Sequence, residues 1–420
     1  MVAIFADTDK MSFRIFLDLL AGTPVPTGRY ATLRSRLSFA LLHILGLFLV
    51  FLSPPASALE YVQFRHQGQE RNEEGRIIGE TPEKIAFESR AGQLYFITPE
   101  DLIASSSDEK PFEPYTKAEM LERLKNEFPA SEGYHYLDMH GSFIIIYTTS
   151  RAFANWYGNL LDNLHKRYVE HWKRLGVELT EPKFPMVALV LSNEERYRQY
   201  AKQEGTTLSD RQCAYYHKLT NRIAMYDMSG QQTFQEGNQR GATSMDIQRF
   251  LAQPESYHNI MTAIHEAVHQ VGYNTGMHPR YVPATPIWIC EGLAIYHEVP
   301  DLRNRYGWTP GPHVNRPRLK QLRLYLDKPR LESPIQKMIQ EDDLFRKPDS
   351  ALDNYALAWG VTYFLAKRRP KELATYLKVL QEKTLDSDDS GAIRIKDFES
   401  CFGSDWDKFY KELFGFLRRL

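Results

Sequence analysis

The stretch YHNIMTAIHEAVHQVG, residues 257–272, decides the fold that this sequence predicts. Its apolar residues recur at gaps of three and four positions, and this spacing defines one face of an amphipathic helix. Ser256 can cap the beginning of the helix, and Gly272 can end it. The sequence therefore predicts a helix here that buries one side against a core.

Within this stretch, His265, Glu266 and His269 form an H-E-x-x-H motif. Residues four apart lie on the same helix face, so both imidazoles can reach one metal ion at about 2.0–2.1 Å. Glu266 is rotated by about 100° from His265, and it can therefore reach a water on that metal more easily than the metal itself. The alternative interpretation is an ordinary helix that carries two unrelated histidines.

A second helix-like stretch, PIWICEGLAIYHE at residues 286–298, supplies a candidate third ligand. Glu291 lies 22 residues after His269. Catalytic zinc sites use three protein ligands and leave one position for water, and two histidines with one glutamate are a known set. We therefore predict that His265, His269 and Glu291 bind Zn²⁺, with Glu266 as the catalytic base.

Glu298 is a candidate for the outer part of the same site. It lies seven residues after Glu291, two helical turns further on, and so shares its helix face. From there it can hydrogen-bond a ligand histidine and fix its tautomer. A solvent-exposed carboxylate at the end of a helix is an equally good interpretation. Three nearby histidines without ligand spacing are expected to be surface or structural residues, namely His278, His297 and His313.

The combination of HEAVH and WICEGLAIYHE resembles the gluzincin metallopeptidases, which include thermolysin-like and aminopeptidase-like enzymes. In that group the two histidines and a glutamate within a W-x-x-E-G pattern bind zinc. The resemblance implies the same roles for His265, His269 and Glu291, and it implies that Glu266 is the base. This chain has no G-x-M-E-N stretch upstream to hold the free amino end of a substrate, which favours an endopeptidase over an aminopeptidase.

The stretches HQVGYNTGMHPR and YALAWGVTYFL are similar to an uncharacterised bacterial domain family with gluzincin features, over about residues 140–420. That family carries a tyrosine at the position of Tyr355. A side-chain donor commonly helps the metal to stabilise the oxyanion that forms during peptide hydrolysis. Tyr355, placed near the beginning of a predicted helix, is our candidate for this role, and a packing tyrosine is the alternative.

The N-terminus reads as an export signal in residues 1–58. Sixteen nearly unbroken apolar positions from Leu37 to Leu52 follow three arginines, and Ala56-Ser57-Ala58 provides an A-x-A cleavage site. This order predicts a secreted, periplasmic or envelope protein with no stable membrane insertion after cleavage. An uncleaved signal anchor in the membrane is the alternative, because the apolar run is close to spanning length.

Residues 59–103 are predicted to form a small SH3-like β barrel, since four short runs with partial alternation are separated by glycine turns. The runs are Tyr61–Arg65, Arg76–Glu80, Lys84–Glu88 and Leu94–Thr98. Residues 104–116 are polar, contain two prolines and read as a linker.

Residues 117–420 are predicted to form an α+β, zincin-like catalytic domain with a helical C-terminal lobe. Phe143–Thr148 and Met186–Leu191 are continuous apolar runs typical of buried strands. Arg222–Tyr226 is a third strand candidate. In the resembling enzymes an edge strand of this kind pairs with the extended substrate, while a plain sheet strand is the alternative.

Composition limits the partners that this chain can have. The formal net charge of -1 supplies no field that would attract nucleic acid or an anionic membrane. Cys213, Cys290 and Cys401 are too few and too far apart for a disulfide framework. The predicted function is an exported zinc peptidase that acts on peptides or proteins. The alternatives are an aminopeptidase and a non-catalytic envelope protein that uses the same scaffold for binding.

Overall fold

The structure of this chain is a computed structural model. It describes residues 58–208, 212–227, 229, 243–280, 285–309, 313–326, 333–384 and 387–420. The predicted signal peptide, apart from Ala58, lies outside the described residues. Within the described ranges, no helix combines the length and the apolar character that a membrane span requires.

The first part of the described chain is an open antiparallel sheet in the strand order β4-β3-β2-β1-β5. The strands are β1 Ala58–His66, β2 Gln69–Thr81, β3 Lys84–Ser89, β4 Leu94–Ile97 and β5 Leu102–Pro111. Alternate residues such as Val62, Phe64 and Phe87 are buried together on one face. The four predicted runs are confirmed as parts of β1 to β4, whereas β5 was not predicted.

The predicted SH3-like barrel is wrong. Strand β5 pairs with β1 and strand β4 pairs with β3, so among the described residues β4 and β5 do not close onto each other. At the outer edge of β4, the Leu94 amide instead donates a hydrogen bond to the Leu219 carbonyl at 2.7 Å. Strand β5 also occupies most of the segment 104–116 that was predicted to be a linker.

A second, mixed sheet has the strand order β6-β7-β8-β10-β9. Its strands are β6 His135–Asp138, β7 Phe143–Tyr147, β8 Met186–Leu191, β9 Ala214–His217 and β10 Arg222–Tyr226. The three central strands run parallel, and both outer strands run antiparallel to their neighbours. The two predicted buried strands are confirmed as β7 and β8.

The expectation that Arg222–Tyr226 is an edge strand is wrong. That segment is strand β10, and it lies between β8 and β9. The edge is formed by β9, a four-residue strand that precedes β10 and pairs with it through a tight turn. The residues of β10 are almost continuously buried, which is the pattern of an inner strand.

Twelve helices are described. They are α1 Lys117–Glu127, α2 Arg151–Arg174, α3 Glu194–Gln203, α4 Ser244–Leu251, α5 Pro254–Asn274, α6 Ile287–His297, α7 Arg316–Leu326, α8 Pro334–Gln340, α9 Pro348–Arg368, α10 Pro370–Gln381, α11 Gly391–Phe402 and α12 Trp406–Leu417. The last six form the helical C-terminal part that the sequence predicted. The whole is a mixed α and β structure, and Ser57–Leu420 is one compact unit.

Alternating side chains of the mixed sheet divide the core into two layers. In β7, Phe143 and Ile145 join the large core with α2 and α5, whereas Ile144 and Ile146 face the smaller core with α1 and α3. This is the period-two alternation of a strand that is covered on both faces. The helix with the H-E-x-x-H motif therefore packs on one defined face of the sheet.

Helix α5 is longer than predicted. It begins at Pro254 in the first helical position and continues to Asn274, before the left-handed Gly276. Ser256 lies inside the helix and donates back to the Gln253 carbonyl at 2.7 Å. Gly272 does not end the helix either. A Cβ at Gly272 would lie 3.2 Å from the His278 ring, so this glycine allows close packing.

Candidate metal centre

Helices α5 and α6 bring His265, His269 and Glu291 together. One ligand atom from each residue lies within 4.8 Å of the others. His265 Nε2 is 3.2 Å from His269 Nε2 and 3.1 Å from a Glu291 oxygen. The other Glu291 oxygen is 3.5 Å from His269 Nε2. The three residues predicted as ligands thus converge, although they come from two different helices.

These separations fit a zinc ion. Two ligands at about 2.0–2.1 Å from a tetrahedral metal are about 3.3 Å apart. The two imidazole nitrogens are 3.2 Å apart, and each lies near one Glu291 oxygen, at 3.1 Å from Oε2 and 3.5 Å from Oε1 respectively, so the separations are close to that value. Two imidazole nitrogens and a carboxylate also form a donor set that zinc commonly uses. The residues present therefore fit a zinc ion in both spacing and chemistry.

Glu298 holds His265 from the side opposite to the other ligands. Its Oε2 is 2.8 Å from His265 Nδ1, and the Glu298 side chain is almost fully buried. A carboxylate on Nδ1 keeps the proton there and leaves Nε2 free to accept a metal. This is the placement that the two-turn spacing from Glu291 predicted for Glu298, and the alternative of an exposed carboxylate is wrong.

Asn315 and Arg318 support Glu298, and sequence reasoning missed both. Asn315 donates its side-chain amide to Glu298 Oε1 at 2.8 Å, and Arg318 Nε lies 3.5 Å from the same oxygen. Both residues lie at the beginning of α7 and approach Glu298 only through the tertiary fold. No local motif links them to the H-E-x-x-H helix, so the sequence held no signal that could have found them.

The cluster has a strong affinity for positive charge. Burial lowers the pKa of His265, but its hydrogen bonds with Glu291 and Glu298 outweigh burial and raise that pKa well above its usual value. The pKa of Glu291 is held well below its usual value, because the two histidines outweigh the effect of burial. A metal must therefore displace a proton from this site, which makes metal binding dependent on pH.

Glu266 lies beside the cluster and touches the edge of the mixed sheet. Its Oε2 accepts a hydrogen bond from the Tyr216 backbone amide at 2.8 Å. Burial raises the pKa of Glu266, and the histidines and this hydrogen bond only partly offset that effect. A carboxylate with a raised pKa is a better general base than an ordinary surface glutamate. Strand β9 is the contact that positions it, and this strand was not predicted.

Gly292 explains how the helix of Glu291 comes so close to its neighbour α9. A Cβ at Gly292 would lie 2.2 Å from Thr362 Oγ1 and 3.0 Å from the Ala358 carbonyl. Any larger residue would therefore push α6 away from α9 and move Glu291. At the other end of the contact, the Ile287 amide donates to Asp342 Oδ1 at 3.0 Å and fixes the beginning of α6.

Tyr355 lies in α9 and faces this region. The negative charge of Glu291 raises its pKa most, followed by burial and by Glu266, so the phenol is close to these carboxylates. Its ring contacts the Phe345 ring at 5.3 Å, and the Arg318 guanidinium lies 5.4 Å from its centre. Helix α9 begins at Pro348, so Tyr355 lies in the third turn and not near the helix start as expected.

The other three histidines are separate from the cluster. His278 and His297 are buried, and burial lowers the pKa of His278 to about 3. His297 Nε2 accepts a hydrogen bond from the Trp172 indole at 3.0 Å, which indicates a neutral packing residue. His313 is exposed and its Nε2 lies 3.2 Å from Thr309 Oγ1. Among the described residues, the one group that could hold a metal ion consists of His265, His269 and Glu291.

One family model matches part of the chain. It is described as a protein of unknown function (DUF1570), and it covers residues 259–386. The matched stretch contains His265, Glu266, His269, Glu291 and Tyr355, but it does not contain the mixed sheet. No curated protein matches the chain. Over these residues the chain is therefore similar to a family whose description names no activity.

Proposed function

We propose that this protein is a zinc-dependent peptidase of the zincin-like type, with an endopeptidase favoured over an aminopeptidase. The observation that carries the proposal is the convergence of His265, His269 and Glu291 at separations that fit a tetrahedral zinc ion. Glu266, the candidate base, follows His265 on the same helix and is buried beside the cluster. The order of these residues is that of the gluzincin pattern.

In this proposal three side chains of the protein have defined roles, namely Glu266, Glu298 and Tyr355. A bound zinc ion supplies a Lewis acid that polarises a carbonyl and lowers the pKa of water to about 7. Glu266 accepts the proton of the attacking water and delivers it to the leaving amine. Glu298 fixes the His265 tautomer, and Tyr355 donates a hydrogen bond to the carbonyl oxygen as negative charge develops on it.

Strand β9 is suited to align an extended peptide. It is the outer strand of the mixed sheet, and the Tyr216 amide on it contacts Glu266. A peptide that adds to a sheet edge is held by main-chain hydrogen bonds, which suit many side chains. This arrangement would bring an internal peptide bond to the base, and together with the lack of a G-x-M-E-N stretch in the sequence it favours endopeptidase activity.

We also propose that the protein is exported, either to the periplasm or envelope or to the medium. Support comes from the basic, apolar and A-x-A segments in residues 29–58 of the sequence. N-terminal sequencing of the protein from its native compartment should show a chain that begins at Leu59. A chain that still begins at Met1 and sediments with membranes would favour the signal anchor.

The function is tested by hydrolysis of unfolded casein and of N-terminally blocked and unblocked peptides. We expect the zinc-loaded protein to cleave blocked peptides, and Glu266→Gln to lower kcat by about 10²–10⁴-fold, because the amide cannot accept the proton of water. The zinc content of the variant should equal that of the wild type. Glu341→Gln, at an exposed position after α8, is the control for a lost carboxylate.

The outcomes separate the alternatives. Cleavage of unblocked peptides alone would identify an aminopeptidase. A chain that binds zinc and peptides but cleaves none of them would be a binding protein on this scaffold. Cleavage by Glu266→Gln at the wild-type rate would show that Glu266 is not the base.

A further inference from the structure

Lys218 is a cation that the described residues leave without a carboxylate partner. It follows strand β9 directly and is partly exposed. Its ammonium lies 4.9 Å from the centre of the Tyr273 ring. No described carboxylate forms a salt bridge with it, although most buried cations in this molecule have one. An ammonium has three donors, and a ring face satisfies only part of that capacity.

The ring beneath Lys218 belongs to the candidate site. His265, His269 and Tyr273 are spaced four residues apart on α5, so their side chains lie in one row on the same face. The Tyr273 hydroxyl lies 3.8 Å from the Cys290 sulfur, and Cys290 precedes the ligand Glu291. Tyr273 is thus the next side chain beyond the metal ligands along the helix.

A second tyrosine joins Lys218 to the base. The Tyr216 ring stacks on Tyr273 with centres 5.8 Å apart, and the Tyr216 amide is bonded to Glu266. These two tyrosines form a wall that begins at Glu266 and ends beneath Lys218. The backbone at this end is fixed, since Arg280 donates to the Lys218 carbonyl at 2.9 Å. The position of the Lys218 ammonium is therefore set by the Tyr273 ring and by the backbone contact with Arg280.

We propose, on the basis of the proposed peptidase function, that Lys218 is a specificity residue that binds a carboxylate of the substrate close to the scissile bond. The tyrosine wall offers stacking area, and at its far end lies a positive charge that no carboxylate of the described residues pairs with. The nearby Arg280 guanidinium does not compete for this role, since it is almost fully buried and lies 3.8 Å from Glu88 Oε1. The preferred ligand is therefore a peptide that carries a negative charge about two residues from the cleavage point.

The distances set where this carboxylate lies along the peptide. Tyr273 is one helical turn beyond His269, which corresponds to about 6 Å along the helix axis. An extended peptide advances about 3.3 Å per residue. The carboxylate should therefore be about two residues from the scissile bond. It can be an Asp or Glu side chain, or the C-terminal carboxylate of a short peptide.

Binding to an inactive form of the protein tests this proposal independently of hydrolysis. The full chain with Glu266→Gln is loaded with zinc and titrated with labelled alanine-rich octapeptides. One peptide is neutral with an amidated C-terminus, a set carries one Glu at successive positions, and one has a free C-terminal acid. We expect the best acidic peptide to bind about tenfold more tightly than the neutral one, since a charge-assisted contact has about this size.

The preference should depend on Lys218 alone. Lys218→Met should reduce the tenfold preference to less than about twofold, and Lys218→Glu should reverse it. Lys202→Met, at an exposed lysine of α3, should leave the preference intact. A preference for Glu in the amidated set identifies a side-chain carboxylate, and a preference for the free acid identifies the chain terminus.

The outcomes distinguish this inference from the proposed function. Equal binding of acidic and neutral peptides, or a preference that survives Lys218→Met, overturns the role of Lys218 even if the wild type cleaves peptides. Preferential binding lost in Lys218→Met supports the role of Lys218 even if casein is not cleaved. If no peptide binds, the inference is overturned, and the casein assay still decides the proposed function by itself.

Discussion

Two polar clusters in this protein differ in how their charges are balanced. In one, Arg222 of β10 makes two hydrogen bonds to Glu127 of α1, at 2.5 and 2.6 Å, and the opposite charges neutralise each other. In the other, His265, His269 and Glu291 direct three acceptor atoms at one point, and only a proton or an added cation can join them. The first cluster needs nothing from outside, whereas the second does.

This contrast in charge balance indicates which charged groups have a structural role. A buried ion pair that is complete gains little from any ligand, and its loss appears as loss of folding free energy. A buried group of acceptors costs energy until a cation binds, so its loss appears as loss of binding. The Arg222 side chain is 5% exposed and is more deeply buried than the three cluster side chains, which are 12–17% exposed, so burial alone does not reveal a site. Three substitutions test this contrast.

The largest expected change in the free energy of unfolding comes from removing the pair of Arg222 and Glu127. Arg222→Met should destabilise the protein by about 1–2 kcal/mol, because it removes two charge-assisted hydrogen bonds between a buried guanidinium and a carboxylate that is 38% exposed. Zinc affinity should not change. Urea unfolding and calorimetric zinc titration measure the two quantities. Arg346→Met, which removes an exposed pair with Asp343, should cost at most about 1 kcal/mol.

The effect of Arg222→Met should also depend on pH. Burial raises the pKa of Glu127, but Arg222 outweighs it, and the pKa in the folded protein is below the ordinary value of 4.5. The pair therefore stabilises the protein fully above about pH 4.5, and its contribution is lost as the pH falls through the lower folded value. A difference between variant and wild type that grows with acid would contradict this assignment.

The next expected effect is on the catalytic rate and concerns Tyr355. Tyr355→Phe should lower kcat by about 10²-fold, since the phenol can no longer donate to the developing oxyanion. Zinc content and melting temperature should stay near the wild-type values. Tyr363→Phe, two turns further along α9, serves as the matched control. A rate for Tyr355→Phe equal to that of the control would leave Tyr355 as a packing residue.

The smallest expected effect is in the residues that support the ligands. Glu298→Gln keeps the shape of the side chain but loses the charge that faces His265, so zinc should bind about 10–100-fold more weakly. The control is Glu88→Gln, an equally buried carboxylate that pairs with Arg76 outside the cluster. It should leave zinc affinity unchanged. Equal zinc affinities for the two variants would separate Glu298 from the metal.

The candidate ligands could be proposed from sequence because the two histidines have a local spacing and Glu291 lies in a W-x-x-E-G pattern. The H-E-x-x-H histidines share a helix face by virtue of their four-residue separation, and Glu298 shares the face of Glu291 by a separation of seven. Strands β7 and β8 were predictable for a similar reason, since continuous apolar runs bounded by polar residues form inner strands.

What could not be predicted depends on tertiary contacts. Strand β5 is rich in serine and charge, and it exists because the free edge of β1 provides backbone partners for it. Strand β9 has only four residues, too few for a periodic signal, yet it supplies the amide that holds Glu266. Asn315 and Lys218 likewise reach the site only after the helices and sheets have packed.

The zinc content of the dialysed protein shows directly whether the cluster of His265, His269 and Glu291 binds one zinc ion. The wild type should retain about one zinc per chain, and Glu266→Gln should retain the same amount. His265→Ala and Glu291→Ala should each lose most of it, because each removes one of three ligands. Full retention of zinc in both ligand variants, or a wild type that holds none after loading, would contradict the account.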